Sequence, residues 1–457
     1  MSYLSSVPSL VPHRQSASAL TRLLHNAYFD NFDSIMPIIN RERFQTELLQ
    51  SSGSMQVQAL SHAMATLGAL AAPELGHSVD TSYTQTRTLL EMCERQENGT
   101  ELNSINTLQA CVLLGFYELK QPNFTRAWLT LGRGIRLGKI MGFQGPQSQS
   151  VLAVLDAQDA EERRRTMWQL YILDAFAVMR TEWNPAFEEM TIPLPSPGRL
   201  ADVTEASIMP TIAESFESAD THTLSTFAGT ACVISMYRRC FGHIHASQHD
   251  TAYAFWDNYY RIDKLVSKCR ACFLAQHAEP VSFSNTDPLS FILFINLAAV
   301  EVSLHKAAIN KAEREHLHSS SLAAEAEKRC IDASADITEA LRACHNLKHH
   351  DLNVFRQASA LITWATTLAA QAHLWMLGHG RGSRATHVAN LQVLAGVIRE
   401  YIGTEHVLAG LLDQIDVLAP STERVNEGAG GPGANKLPAK RPGRGSPKGG
   451  NLRNPRA

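Results

Sequence analysis

The feature that most constrains this chain is a helical spacing of apolar residues, which recurs along most of its length. Ile105, Leu108 and Val112 share one helical face, and Trp128 and Leu131 begin another. Residues three, four or seven positions apart lie on the same side of an α-helix. Alternating β-branched runs joined by tight Asn-Gly or Asp-Gly turns do not occur, so strands are not predicted. The sequence therefore predicts an all-α fold built as a large multi-helix domain.

Breaks in this pattern divide the chain into segments. Three prolines at positions 193, 195 and 197 hold the preceding residues extended, which predicts a strap that crosses the surface between two helical bundles. Near the C-terminus the composition changes to Gly, Pro and Lys/Arg, which cannot bury enough apolar surface to fold. We expect a disordered N-terminus over residues 1–19, a helical domain over 20–425 and a disordered basic tail over 426–457.

Charge is distributed unevenly between the tail and the rest of the chain. The 457 residues carry a formal net charge of −3, but residues 436–457 hold seven Lys or Arg and no acid. A near-neutral total argues against coating nucleic acid by bulk electrostatics. Within the tail, Lys440, Arg441, Arg444 and Lys448 fit a nuclear import signal or a weak phosphate-binding segment. The alternative is an end that only adds solubility.

The cysteines and the apolar segments limit the compartment. Eight cysteines are scattered among helical patterns, as expected for free, buried thiols in a reducing interior. Cys269 and Cys272 form a Cys-x-x-Cys with no second pair at zinc-site spacing, which favours a structural role. The N-terminus has no secretory pattern. Residues 353–378 are apolar but contain Arg356 and His373, which predicts a buried helix and no membrane partner.

Sequence motifs for catalysis are absent. The sequence contains no phosphate-binding Gly-rich loop, no Gly-x-Ser-x-Gly elbow and no His-Glu-x-x-His helix, which are the compact signals of nucleotide, acyl-transfer and zinc chemistry. The pair His349–His350 fits a helix end, where imidazoles complement the helix dipole. The sequence thus predicts no catalytic residues, no metal ligands and no enzyme.

Three segments are more specific than composition. The first, residues 23–44, holds Tyr28-Phe29 and then Phe32 before Met36-Pro37-Ile38. The second, residues 106–143, runs from Asn106-Thr-Leu-Gln-Ala to Trp128 and on to Gly142-Phe143. The third, residues 161–174, reads Glu-Glu-Arg-Arg-Arg-Thr-Met-Trp-Gln-Leu-Tyr-Ile-Leu-Asp and leads to Ile192-Pro193. In order and spacing, these segments resemble the fungal-specific transcription factor domain, the middle homology region of fungal zinc-type regulators, over about residues 20–200.

The resemblance implies a nuclear regulator of transcription, acting through its helical domain and pathway-specific for a metabolic or secondary-metabolite gene cluster. It implies coregulators, a homo- or heterodimer partner and a small effector as binding partners. The alternatives are a helical interaction protein, scaffold or coregulator that does not bind DNA, and an all-α enzyme whose site the sequence does not reveal.

One part of the family pattern has no counterpart in the sequence. Members usually carry a zinc DNA-binding module before this domain, but here the resemblance begins near residue 20 and the first cysteine is Cys93. We therefore expect no zinc or other cofactor and no DNA-binding residue in the chain. We expect direct contact with promoter DNA only if an upstream zinc module is missing from the sequence, and recruitment through a DNA-binding partner otherwise.

The charged residues of the third segment have structural interpretations. Asp174 shares a helical face with Leu170 and Tyr171, and a buried carboxylate needs a partner because an unpaired charge is costly. We predict an ion pair with one of three arginines on the Trp128 helix, Arg126, Arg133 or Arg136. The run from Glu161 to Arg165 predicts a solvated, mixed-charge first turn rather than a nucleic-acid patch, and Trp128 and Trp168 are predicted to lie in the core.

Overall fold

The computed structural model describes residues 11–419 except for 97–98, 100, 122–124, 144–147, 182, 206–207, 218–223, 247–251, 277–287, 317–320, 346–348 and 403–405. Within these residues the chain forms sixteen α-helices and no strand, which confirms the predicted all-α class. The boundary predicted at residue 20 falls inside the first helix. Residues 420–457 lie outside the described residues, so the predicted tail does too.

The first eight helices are α1 (Val11–Phe32), α2 (Arg41–Gln50), α3 (Met55–Ala71), α4 (Val79–Arg95), α5 (Ile105–Leu119), α6 (Thr125–Ile140), α7 (Ser148–Ala153) and α8 (Ala157–Thr181). The other eight are α9 (Ile212–Glu217), α10 (Thr226–Ala246), α11 (Ala252–Gln276), α12 (Pro288–Arg314), α13 (Ser321–His345), α14 (His349–Gly378), α15 (Arg384–Val397) and α16 (His406–Leu418). Short 3₁₀ turns at Pro73–Leu75 and Leu200–Asp202 and a π-helical turn at Ile398–Ile402 complete the described elements.

Local sequence signals set several helix ends. The side chain of Asn40 accepts hydrogen bonds from the backbone N–H groups of Glu42 and Arg43 and so caps α2, and Ser104 caps α5 in the same way. At the end of α6, Gly142 has φ of 76°, and the N–H of the next residue bonds back to the carbonyl of Gly138 at 3.0 Å. Glycine takes this left-handed conformation without steric cost, so α6 ends here.

Two central helices organise the packing. Every residue of α5 is buried, and α5 packs against α3, α4, α6 and α8. In the second half, α12 packs against α10, α11, α13 and α14. Contacts of α14 with α1 and α8 join the halves, and one continuous apolar core runs from Tyr28 to Ala419. A helix that is apolar on all sides is stable in water only when it is enclosed in this way.

The proline-rich segment after α8 is extended and runs along the surface, but several of its side chains point into the core. Phe187, Ile192 and Leu194 are at most 2% exposed. The indole N–H of Trp168 donates to the carbonyl of Pro193 at 2.8 Å, which fixes this strap, residues 183–199, along α8. The buried side chains of the strap supply apolar core surface that α8 would otherwise leave open.

Candidate functional site

Asp174, which the sequence singles out, lies in α8 beneath the strap and is only 2% exposed. Its Oδ2 accepts hydrogen bonds from the backbone N–H groups of Ala186 at 3.0 Å and Phe187 at 3.3 Å. The guanidinium of Arg238 in α10 lies 3.5 Å from the same oxygen and also donates to the carbonyl of Phe187. Burial raises the pKa of the Asp174 carboxyl, and Arg238 and the two amides oppose that rise.

The predicted ion pair of Asp174 is therefore wrong in its partner. Arg126 lies 3.5 Å from the hydroxyl of Tyr83, and Arg133 forms an ion pair with Glu94 at 2.8 Å. Arg136 donates to the carbonyl of Gly132 at 3.1 Å. Asp174 faces α10, which supplies Arg238 as its partner. Arg238 lies 64 residues further along the chain, so no local spacing in the sequence indicates this pair. The need for a buried partner was predictable, but the identity of that partner was not.

Asp174 and Arg136 nevertheless share one cavity, which lies between α6, α8 and the strap and has a volume of about 330 Å³. Its wall is formed by Trp128, Gly132, Ile135, Arg136, Lys139 and Asp174, with Ala186 on the strap side. Trp128 is half-buried and meets Trp183 edge to face, with ring centroids 4.9 Å apart. Trp168 is fully buried, as predicted, whereas Trp128 is partly available to this cavity.

The electrostatic balance of this cavity is positive. Arg238 and two backbone amides already satisfy the charge of Asp174. Arg136 and Lys139 are exposed at the rim, and within the described part of the chain neither forms an ion pair. A guanidinium has five N–H donors in a planar fork, and Arg136 uses one of them within its own helix. The remaining donors can bind an anion.

A second cavity, of about 500 Å³, lies between α1, α2 and the end of the strap. Asp33, Arg41, Arg165 and Arg199 line it. Burial raises the pKa of Asp33 to about 6, although the three arginines pull it downward. Arg165 is already paired with Glu161 at 2.8 Å. Charges of both signs are therefore mixed in this cavity, with three arginines and one carboxylate in its lining.

A buried polar network joins the three sequence segments that carry the family resemblance. Glu162 is fully buried and accepts four hydrogen bonds, two of them from Arg43 at 2.7 and 2.8 Å. The others come from the backbone N–H of Asn40 at 2.9 Å and the amide of Gln109 at 2.8 Å. The Arg43 guanidinium also donates to Asn106 at 2.9 Å. One residue set thus ties α2, α5 and α8 together.

A neighbouring network fixes the strap. Glu161 accepts from Arg164 at 2.5 Å, from Arg165 at 2.8 Å and from the backbone N–H of Ser196 at 2.8 Å. Arg165 also donates to the carbonyls of Ser196 and Gly198 at 3.0 Å. The predicted solvated first turn is therefore wrong, because the start of α8 packs beneath both α2 and the strap. Its charges support structure and do not form an open nucleic-acid patch.

The remaining features are the cysteine thiols, the side chains that could bind a metal ion and the longest apolar helix. Seven of the eight cysteines have described side chains, and these seven are free; burial raises the pKa of Cys111 and Cys240 to about 12. Among the described residues, no group of three His, Cys, Asp or Glu side chains could hold a metal ion. One described helix, α12, is long and apolar enough to cross a membrane, but 89% of its most apolar window is buried inside the domain. The basic residues Lys440, Arg441, Arg444 and Lys448 lie outside the described residues.

Comparisons with known proteins give one consistent result. Residues 26–279 match the model of the family described as "Fungal specific transcription factor domain". The chain is 30% identical over 412 residues to the depudecin biosynthesis cluster-specific transcription activator DEP6 of Fusarium langsethiae, covering 83% of the chain and 65% of that protein. It is 32% identical to DEP6 of Alternaria brassicicola, over 77% of the chain and 56% of the relative.

A third relative, the pigment biosynthesis transcriptional activator pigB of Monascus ruber, is 25% identical over 71% of the chain and 61% of its own length. The chain thus spans roughly three fifths of each of these curated relatives. No solved structure matches the chain.

Proposed function

Because the chain belongs to the family of the fungal-specific transcription factor domain, we propose that the protein is a transcription regulator that activates the genes of a secondary-metabolite cluster. The observation that carries this proposal is similarity over most of the helical domain to proteins named as cluster-specific activators. The buried network of Glu162 and Arg43 supports it, because the family-like segments meet in one scaffold. The scaffold holds the domain's surfaces in a fixed arrangement for partners.

Deletion of the gene tests the regulatory role. Transcripts of a contiguous set of biosynthetic genes are expected to fall several-fold, and the wild-type chain should restore them. Arg163→Gln is a matched control for complementation, because Arg163 is half-buried and pairs only with its helical neighbour Asp159. Unchanged transcripts would remove the proposal, and a coordinated rise would show a repressor instead.

Contact with promoter DNA is a separate step. We propose that the helical domain reaches promoters through a DNA-binding partner, unless the protein also carries a zinc module, and that coregulators and a homo- or heterodimer partner bind its surface. We also propose that the domain needs no metal or cofactor to fold. A chelator should leave thermal unfolding of the purified chain unchanged. Stoichiometric zinc in that protein, with sequence-selective binding of promoter fragments, would contradict recruitment through a partner.

Nuclear localisation is proposed to depend on the basic tail. Replacing Lys440, Arg441, Arg444 and Lys448 with Ala in the full chain should shift a fluorescent fusion from nucleus to cytosol. The matched control removes basic residues outside that cluster, Lys436, Arg453 and Arg456. Equal nuclear signal in both variants would show that the cluster is not an import signal, and a wild-type protein that stays cytosolic would favour the scaffold alternative.

A further inference from the structure

The cavity between α6, α8 and the strap has the features of a small-molecule site. Its volume of about 330 Å³ lies at the lower end of the range of about 300–1,000 Å³ that is usual for ligand pockets. Trp128 and Ile135 supply an apolar wall, and Arg136 and Lys139 lie at the rim. Apolar walls with a few converging polar groups are the common composition of such pockets.

Gly132 in α6 leaves space for the cavity. Gly132 has no side chain, and a Cβ there would meet nothing nearer than the guanidinium of Arg136, at 3.4 Å. The Arg136 guanidinium lies over this gap and bonds to the Gly132 carbonyl. Glycine in a helix interior is destabilising relative to alanine. Close backbone packing does not explain this glycine, because the nearest neighbour is the end of a flexible side chain.

The charges of the cavity select the ligand class. Asp174 is compensated by Arg238 and two backbone amides, whereas Arg136 and Lys139 have no carboxylate partner among the described residues. A planar guanidinium binds a carboxylate through two parallel hydrogen bonds. Trp128 can pack against the face or edge of a flat apolar group. Together these features select a molecule with one anionic group and a compact apolar body.

We propose that this cavity binds a small organic anion, with its carboxylate on Arg136 and Lys139 and its apolar body against Trp128. The inference deepens the proposed function by assigning an effector site to the regulatory domain. Binding itself can be measured on the purified full-length chain without any promoter, so its failure and the failure of the regulatory proposal are distinguishable.

Calorimetric titration with 1-naphthoate and with octanoate tests the proposal. At least one of the two is expected to bind saturably with one site per chain, and its neutral amide should bind at least about tenfold more weakly because the charge-assisted hydrogen bonds are lost. Absence of saturable binding by both acids would overturn the proposal. Equal affinity for acid and amide would also overturn it.

Variants locate the site. Arg136→Gln should weaken binding of the acid about tenfold or more and leave binding of the amide unchanged, whereas Gly132→Leu should fill the cavity and abolish both. Arg133→Gln is the matched control, because Arg133 pairs with Glu94 outside the cavity, and it should bind as wild type. Thermal unfolding monitors the fold of each variant. Wild-type affinity in a folded Arg136→Gln protein would overturn the assignment, as would equal losses in Arg136→Gln and Arg133→Gln.

Discussion

Removing the charge of Glu162 should destabilise the domain much more than removing the charge of its neighbour Arg163. Glu162 is fully buried, and its two oxygens accept four N–H groups. In Glu162→Gln, one oxygen becomes an NH₂ group, which must face either Arg43 Nε or the three donors on the other side. The change removes the buried counter-charge of the Arg43 guanidinium, whose side chain is 14% exposed, and leaves only the more exposed Glu47, at 2.9 Å, as its carboxylate partner.

The magnitude follows from the burial of the pair. Breaking a buried ion pair by removing one partner costs about 3–5 kcal/mol when the remaining charge stays desolvated and unpaired. Arg43 keeps its contact with Glu47, so Glu162→Gln should cost about 3 kcal/mol, the lower end of that range. The matched control is Arg163→Gln, one residue further along α8. Its pair with Asp159 spans 3.4 Å between partly exposed side chains, and an ion pair of that kind contributes about 0–1 kcal/mol. The two variants should therefore differ by at least about 2 kcal/mol in the free energy of unfolding.

Urea denaturation followed by circular dichroism at 222 nm measures this difference, provided that fluorescence gives coincident transitions. The double variant Arg43→Gln/Glu162→Gln should be less destabilised than the sum of the single variants, because removing both charges leaves neither one unpaired. If Glu162→Gln unfolds within about 0.5 kcal/mol of Arg163→Gln, the network does not tie the three segments together. Additive single effects would likewise refute the ion-pair argument.

Three further predictions concern stability. Burial raises the pKa of Asp33 to about 6. Its carboxyl therefore favours folding most at low pH and loses that contribution as pH rises through 6. Asp33→Asn should raise the free energy of unfolding by about 1–2 kcal/mol at pH 8 and little at pH 4, measured by urea titration. Burial lowers the pKa of His373 to about 4, so wild-type stability should fall as pH decreases from about 6.5 to 4, and His373→Asn should flatten that slope in thermal unfolding. A Cβ at Gly68 would lie 2.0 Å from the Leu24 carbonyl oxygen, so Gly68→Ala should lower the free energy of unfolding by about 1–3 kcal/mol or more. Gly132→Ala should instead raise it by up to about 1 kcal/mol. Similar melting temperatures for the two variants would contradict this difference.

The sequence predicted the class of the fold because helical periodicity and helix stops are local signals. The stop at Gly142 depends on one backbone conformation, and the burial of Trp168 depends on its position on an apolar face. These features need only neighbouring residues, and they were predictable. The proline strap was predicted as extended for the same local reason, but the burial of Phe187, Ile192 and Leu194 depends on their meeting the distant core.

The polar contacts were not predictable because they join residues far apart in the chain. Arg43 and Glu162 are 119 positions apart, and Asp174 and Arg238 are 64 apart. A charge in the sequence indicates that a partner is needed, but tertiary packing decides which residue supplies it. One signal was present in the sequence: Gln109 is a polar residue among the apolar neighbours Leu108, Ala110 and Cys111.

Promoter occupancy by the full-length chain tests the regulatory role most directly. Chromatin immunoprecipitation of a tagged chain expressed from its own locus should enrich promoters within one biosynthetic gene cluster, at the genes whose transcripts fall when the chain is deleted. The Arg163→Gln protein should give the same enrichment. A nuclear, folded protein that shows no enrichment at those promoters would contradict the account and favour a scaffold that acts away from DNA.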